Sequence, residues 1–358
     1  MKSKSFRFDG LLLLGVGIIL AASLLMLASS SPELFTKQLI FVGIGSVVAA
    51  ILFFVDLRPL IGAKWAVALI FLGSFLSLIA VHLFGTQVNG SKSWLGIGIF
   101  GIQPSELSKF ALITILAAFF SRRHIGIKRM AVILGSFAYF AALGILIITE
   151  PDLGSALILF GIWFGFLLVA GLPMRYMAFA TVLFLTFGGL AWGVALEGYQ
   201  KDRILAVFNP EADPLGVNYN VIQSKSAIGS AGIFGKGFGQ GALVKLGYLP
   251  AAQTDFAFSS FTEEWGLVGA IIVLASFGLI IWRIAAIGAR AEGNFYKLFC
   301  LGSMIFFGLH FFVNVGSALG LIPVIGVVFP FLSSGGSNLI ISMALIGVIQ
   351  NIAANNSV

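Results

Sequence analysis

The chain has 358 residues, of which 59% are hydrophobic and only 10% charged, and its mean hydropathy is +1.06. Soluble domains carry roughly 25% charged residues, so this composition excludes an ordinary soluble protein and predicts a polytopic membrane one. The formal net charge of +7 reflects membrane topology rather than a nucleic-acid-binding patch.

A helix needs about 20 apolar residues to cross hydrocarbon about 30 Å thick. Runs of that length predict ten spans, at 11–29, 38–55, 66–84, 104–120, 130–149, 154–170, 177–195, 266–282, 295–315 and 338–353. The predicted fold is all-α: a single polytopic membrane domain over residues 1–358, with a long outer loop at 196–265 between the seventh and eighth helices. Lys and Arg next to spans stay cytoplasmic. With the N-terminus inside, Lys2, Lys4, Arg7, Arg58, Arg122, Arg123 and Arg283 all fall on the cytoplasmic side, while the short outer loops hold only Lys37 and Lys92. Seven of the fourteen acids lie between Glu197 and Glu264, on the outer side. Leu11 to Ala28 is too long for a cleavable signal core, and ten spans return both termini to the cytoplasm.

Inside the outer loop, Asn218 to Ile228 mixes Val221, Ile222 and Ile228 with polar residues, which predicts a short amphipathic helix lying at the membrane interface. Residues 229–241 are too rich in glycine for a helix. They are not a nucleotide loop either, because Ser230 stands where the first Walker glycine belongs and Gly237 replaces the hydroxyl residue. The loop therefore serves either close backbone packing or close approach of a lipid headgroup. Cys300 sits in a span as a buried thiol, with no disulfide to make. His82, His124 and His310 lack metal-ligand spacing.

Ionisable groups at the membrane rim carry more information, since a charge there costs at least a few kcal/mol unless paired or wet. Gln103-Pro104-Ser105-Glu106 opens the fourth span, and Lys109 lies three residues after Glu106 on the same helix face. The pair either neutralises itself at a helix interface or forms a polar cavity wall in which the lysine faces a pyrophosphate. Asp152, in Glu150-Pro151-Asp152-Leu153-Gly154, caps the next helix and can also face such a cavity. Asp255, in Thr254-Asp255-Phe256, lacks a basic neighbour in sequence; desolvation there raises its pKa and suits it to be a base near neutral pH, against the alternatives of another cap or a partner for Lys245 or Arg203. Glu263 and Glu264 fit the acid preference of helix starts.

Together these residues resemble the shape, elongation, division and sporulation (SEDS) family. The resemblance rests on Asn89-Gly90-Ser91-Lys92-Ser93-Trp94-Leu95, on Gln103-Pro104-Ser105-Glu106 with Lys109, and on Pro151-Asp152-Leu153-Gly154. The outer loop adds Asp202-Arg203, Asp213-Pro214-Leu215-Gly216, Gln223-Ser224, Ala227-Ile228-Gly229-Ser230 and Thr254-Asp255-Phe256, and the tail runs from Asn314-Val315-Gly316 to Ser333-Ser334-Gly335-Gly336-Ser337. The loop wording is closer to the elongation branch than to the division branch. One departure concerns Trp94: relatives often carry Arg before the matching Trp, whereas this chain has Ser93, with Lys92 as the nearby charge.

The resemblance implies a peptidoglycan glycosyltransferase that polymerises lipid II in the outer leaflet, beside a class B penicillin-binding protein and other elongation proteins. It implies that Asp255 is catalytic and that Glu106 and Lys109 line the central cavity, with Asp152 matched more weakly. Arg203, Lys92 and Trp94 are further candidates for contact with substrate. No nucleotide or organic cofactor is expected, whereas a Mg2+ ion bound by Asp152 would be one way to neutralise the leaving pyrophosphate. Two other classes also fit a protein with ten spans: a lipid II flippase and a non-catalytic scaffold. No inverted repeat supports the first, and the second leaves Asp255 unexplained.

Overall fold

The computed structural model describes residues 8–55, 64–88, 91–97, 100–122, 130–169, 198–208 and 218–355, with isolated positions between 178 and 193 and at 213 and 216. The predicted seventh span, 177–195, lies almost wholly outside the described residues, as do His124 and residues 209–212. The helices are α1 (Gly10–Ser30), α2 (Pro32–Phe54), α3 (Lys64–Phe84), α4 (Pro104–Ser121), α5 (Met130–Thr149), α6 (Leu153–Val169), α7 (Gly198–Phe208), α8 (Tyr219–Ser230), α9 (Ala242–Lys245), α10 (Ala257–Arg290), α11 (Asn294–Ala318) and α12 (Gly336–Asn355). Among the described residues eight are long and apolar enough to cross a membrane, and α6 is a shorter apolar helix of 17 residues. The chain is a multi-pass, all-α membrane protein.

Local chemistry sets the helix starts. The Asp9 carboxylate accepts from Leu12 N at 2.9 Å and caps α1. Ser31 caps α2, and Pro32 and Pro104 take first-turn positions whose N–H would be unsatisfied in any case. Hydrocarbon then sorts the helices by polarity: α4 and α12, the two least apolar spans, are the most completely buried, whereas α2 turns Val47, Ile51 and Phe54 outward. Small residues let helices approach closely. A Cβ on Gly347 of α12, for instance, would stand 2.6 Å from the Ala49 carbonyl of α2.

At the end of the bundle carrying the Asp9 cap, polar side chains tie helix ends together. Arg283 of α10 forks onto the Asp9 carboxylate, its Nε donating at 3.1 Å, and Gln350 of α12 hydrogen-bonds both the N–H and the C=O of Asp9. Asn351 donates to the carbonyls of Phe53 and Val55 at 2.7 and 2.8 Å, which finishes α2.

Three features differ from the sequence expectation or add to it. First, the connection between α3 and α4 contains a three-stranded antiparallel sheet: β1 (Thr86–Val88), β2 (Ser91–Ile97) and β3 (Phe100–Ile102), with Thr86 opposite Trp94 and Gly96 opposite Gly101. Its signal was present in the Asn89-Gly90 pair between β-prone residues, but strands this short fall below the hydropathy windows. Second, α8 forms as expected, and it docks on α10 and on the end of α11. Its Ser224 Oγ donates to the Ala318 carbonyl at 2.7 Å and lies 2.7 Å from Ser259 Oγ. Third, α10 begins at Ala257, not at 266, and breaks at Gly266 (φ +67°).

That break explains the glycine-rich loop. Lys236 N and Gly237 N donate to the carbonyls of Glu263 and Glu264 at 2.9 and 3.0 Å, and Leu267 N returns a bond to Gly232 O at 3.0 Å. The loop packs main chain against main chain, so a Cβ on Gly235 would collide with the Glu264 carbonyl and one on Gly266 with Gly235 N. Of the two readings of this loop, close backbone packing is the one observed. Gly266→Ala combines a left-handed φ with that collision and is expected to cost about 2 kcal/mol or more, read as a lower midpoint of thermal unfolding in detergent.

Candidate active site

The polar residues that open α4 lie inside the protein. Lys109 is 1% exposed and its Nζ sits 2.6 Å from Glu106 Oε1, while Glu106 Oε2 accepts from Asn338 of α12 at 2.9 Å. On its other side Lys109 Nζ lies 3.5 Å from His310 Nε2 of α11. His310 Nδ1 is 3.2 Å from the Val328 carbonyl. A carbonyl only accepts, so Nδ1 carries the proton and Nε2 offers its lone pair to the lysine. The ammonium is thus enclosed by α4, α11 and α12, in the arrangement of a self-neutralising interior pair. Among the described residues its partners are Glu106 and His310.

Asp152 forms a cap. Its Oδ1 accepts from Ser155 N at 3.0 Å at the start of α6, and its Oδ2 accepts from Gln103 Nε2 and Ser105 Oγ, both at 3.0 Å. Three donors thus occupy three of the roughly four acceptor sites of the Asp152 carboxylate. Among the described residues no three His, Cys, Asp or Glu side chains converge into a metal-holding group. Beside it, buried Glu150 lies 3.6 Å from His82 Nδ1. Burial, and secondarily the charge of Asp152, pushes its carboxyl up to about 8.

Asp255 occupies the turn that enters α10. No side chain caps that helix, so the capping alternative for Asp255 does not hold. Burial raises its pKa, while the charge of Arg203 and a hydrogen bond from Thr254 pull in the opposite direction without cancelling the rise. The partner absent from the local sequence is therefore Arg203 of α7, more than fifty positions earlier. Arg203 Nη1 also donates to the Val324 carbonyl at 3.3 Å, and it lines a cleft with Asn218, Asn220, Lys225 and the Gly320–Val324 loop.

Lys92 and Trp94 belong to the sheet and join neither group. Lys92 Nζ donates to the His82 carbonyl at 2.7 Å, at the last turn of α3, where a cation complements the helix dipole. The Trp94 ring covers Gly101, on which a Cβ would meet it at 2.9 Å.

Sequence reasoning missed the links between these groups. In sequence, His310 lacks metal-ligand spacing, Asn314 and Ser333 are only parts of the tail pattern, and Asn338 lies just beyond it. Asn314 Nδ2 donates to the Asp255 carbonyl at 2.9 Å and to the Val327 carbonyl at 2.8 Å. A polar amide at i+4 from His310 on a spanning helix was the available signal.

Two expected outcomes follow from this geometry. Lys109→Ala leaves Glu106 buried without its cation and should cost about 3–5 kcal/mol of stability; adding Glu106→Gln should recover much of the loss in a thermal melt. Glu150 favours its protonated form in the fold. Its contribution to stability is complete below the ordinary carboxyl value of 4.5 and is lost as pH rises towards about 8. Glu150→Gln should therefore raise the melting temperature at pH 8.5 and leave it nearly unchanged at pH 5.

The profile of the cell cycle protein family that comprises FtsW, RodA and SpoVE matches residues 4–358. The peptidoglycan glycosyltransferase MrdB of Escherichia coli K12 is 33% identical over 356 residues, covering 97% of this chain and 93% of MrdB. Stage V sporulation protein E of Bacillus subtilis 168 is 35% identical over 374 residues, covering 99% of each chain. Among solved structures, a chain from a peptidoglycan synthase complex that coordinates polymerisation and crosslinking superposes with a TM-score of 0.84 at 31% identity, over 98% of this chain and 99% of the other. The rod-shape-determining protein RodA of Thermus thermophilus superposes with a TM-score of 0.72 at 26% identity, over 99% of this chain and 100% of the other. With its whole length matched and its fold shared, this chain belongs to the FtsW, RodA and SpoVE family.

Proposed function

We propose that the chain is a peptidoglycan glycosyltransferase of the elongation type, polymerising lipid II at the outer face of the cytoplasmic membrane with Asp255 as general base. The observation that carries this reading is the part-buried carboxyl of Asp255, its pKa raised by burial, within the field of Arg203 beside a cleft that also holds Lys225. MrdB and the peptidoglycan synthase complex supply the reaction class.

The chemistry asks for these groups. The donor sugar is joined by an α bond to undecaprenyl pyrophosphate, and a β1,4 product requires attack from the opposite face. Asp255 takes the proton of the acceptor C4 hydroxyl as its oxygen bonds to donor C1. The bond from C1 to the pyrophosphate oxygen breaks, and the electron pair leaves with the pyrophosphate. Fixed cations stabilise that developing charge best where water is scarce, and Arg203 with Lys225 fill this role. The enclosed Glu106–Lys109 pair acts from the interior by fixing the junction of α4, α11 and α12. Lipid tails need lateral access between helices, which a membrane-embedded catalyst provides. Its termini are placed in the cytoplasm by the bias of Lys and Arg towards one set of loops. A crosslinking transpeptidase of the class B penicillin-binding type is the natural partner, since the solved complex joins polymerisation to crosslinking.

Purified protein given labelled lipid II in detergent should form glycan polymer, and Asp255→Asn should lower that rate by about 10²-fold or more. Normal polymer from the Asp255 variant removes the base assignment. A flippase would instead act only across closed vesicles and tolerate the substitution.

A further inference from the structure

The backbone around Asp255 is held at three consecutive carbonyls. Ser334 N donates to Gln253 O at 2.8 Å, Ser333 Oγ to Thr254 O at 2.6 Å, and Asn314 Nδ2 to Asp255 O at 2.9 Å. All three donors come from α11 or from the stretch just before α12, which is remote in sequence. Within the turn, Thr254 N and Phe256 N both donate to the Ala251 carbonyl, at 3.1 and 3.2 Å. Ala251 (φ +52°) and Phe331 (φ +66°) are left-handed without being glycine, one on each side of the contact. Such backbone persists only where its surroundings over-determine it.

Asn314 is the centre of this arrangement. It is completely buried, and its second bond, to Val327 O at 2.8 Å, ties the Asp255 turn to the loop between α11 and α12. An amide NH₂ is the smallest side-chain group that gives two carbonyls a donor each; aspartate would present only acceptors there. One helical turn earlier, His310 reaches Lys109. One rigid helix therefore holds both the enclosed cation and the turn bearing the carboxylate.

We infer that Asn314 is a positioning residue for polymerisation: by clamping the Asp255 carbonyl to α11 it sets where the Asp255 carboxylate stands relative to the sugar hydroxyl. The inference rests on Asp255 being the base. A displacement of about 1 Å at a reacting group costs on the order of 10²-fold in rate, so loss of the clamp should appear in turnover and not in binding.

The test is steady-state polymerisation of labelled lipid II by purified Asn314→Ala, Asn314→Asp, Ser333→Ala and Asp255→Asn, together with thermal melts and the pH profile of kcat. Folded Asn314→Ala should lose at least about tenfold in kcat with KM within about threefold, and its acid limb should move to lower pH as the freed turn lets water reach the carboxyl. Unchanged kcat and pH profile overturn the inference, as does a rate loss that merely tracks loss of folded protein with an unmoved profile. If neither Asn314 variant folds, Ser333→Ala decides by the same readouts, and wild-type values overturn the clamp. An active Asp255→Asn removes the base assignment beneath it, whereas an inactive Asp255→Asn beside a wild-type Asn314→Ala removes the clamp alone.

Discussion

Hydrocarbon offers no hydrogen bonds, so a polar group carried into it must find its partner within the protein. That constraint decides where the least apolar helices go. The α4 helix brings Glu106, Lys109 and three serines towards the membrane, and it is shielded from lipid almost throughout. Its charges are met by Asn338 and His310, and Ser108 lies within hydrogen-bonding distance of Ser74 on α3. The interior is consequently a packed apolar frame with a polar seam, and α11, which helps to close the seam, also supports the turn that carries Asp255, together with Ser333 and Ser334 just before α12.

The two ends of the bundle solve this problem differently. At one end, side chains of Asp9, Arg283, Gln350 and Asn351 tie helix termini to one another. At the other, the turn that carries Asp255 is held at its carbonyls by Asn314, Ser333 and Ser334. Catalysis on a headgroup whose tails remain in lipid requires such an end: rigid enough to aim a carboxylate, yet still lined by a cleft such as the one at Arg203 and Lys225. The glycine-rich loop contributes to the rigidity by pairing its backbone with the break in α10 at Gly266.

Burial also separates acids that look alike in sequence. Asp152 spends both oxygens on a helix start and its neighbours, whereas Asp255 has a pKa raised by burial and opposed by the charge of Arg203. Lys109 and Arg203 divide in the same way. The lysine is locked to Glu106 inside the protein, and the arginine is exposed at the cleft.

The sequence by itself determined the membrane class, nearly every described span, the amphipathic α8 and the candidacy of Asp255. Those are local properties: hydropathy over one helix length, the capping of a first turn, and the environment of a carboxyl among Thr254, Phe256 and Phe258. It could not assign Lys109 to an enclosed pair or Lys92 to a helix end, and it missed the short sheet and the roles of His310 and Asn314. These depend on hydrogen bonds between distant positions, 232 residues apart for Asn338 and Glu106 and 59 for Asn314 and Asp255. A side chain's donor count is written in its residue type, but the carbonyl or carboxylate that receives those donors is chosen only when helices pack.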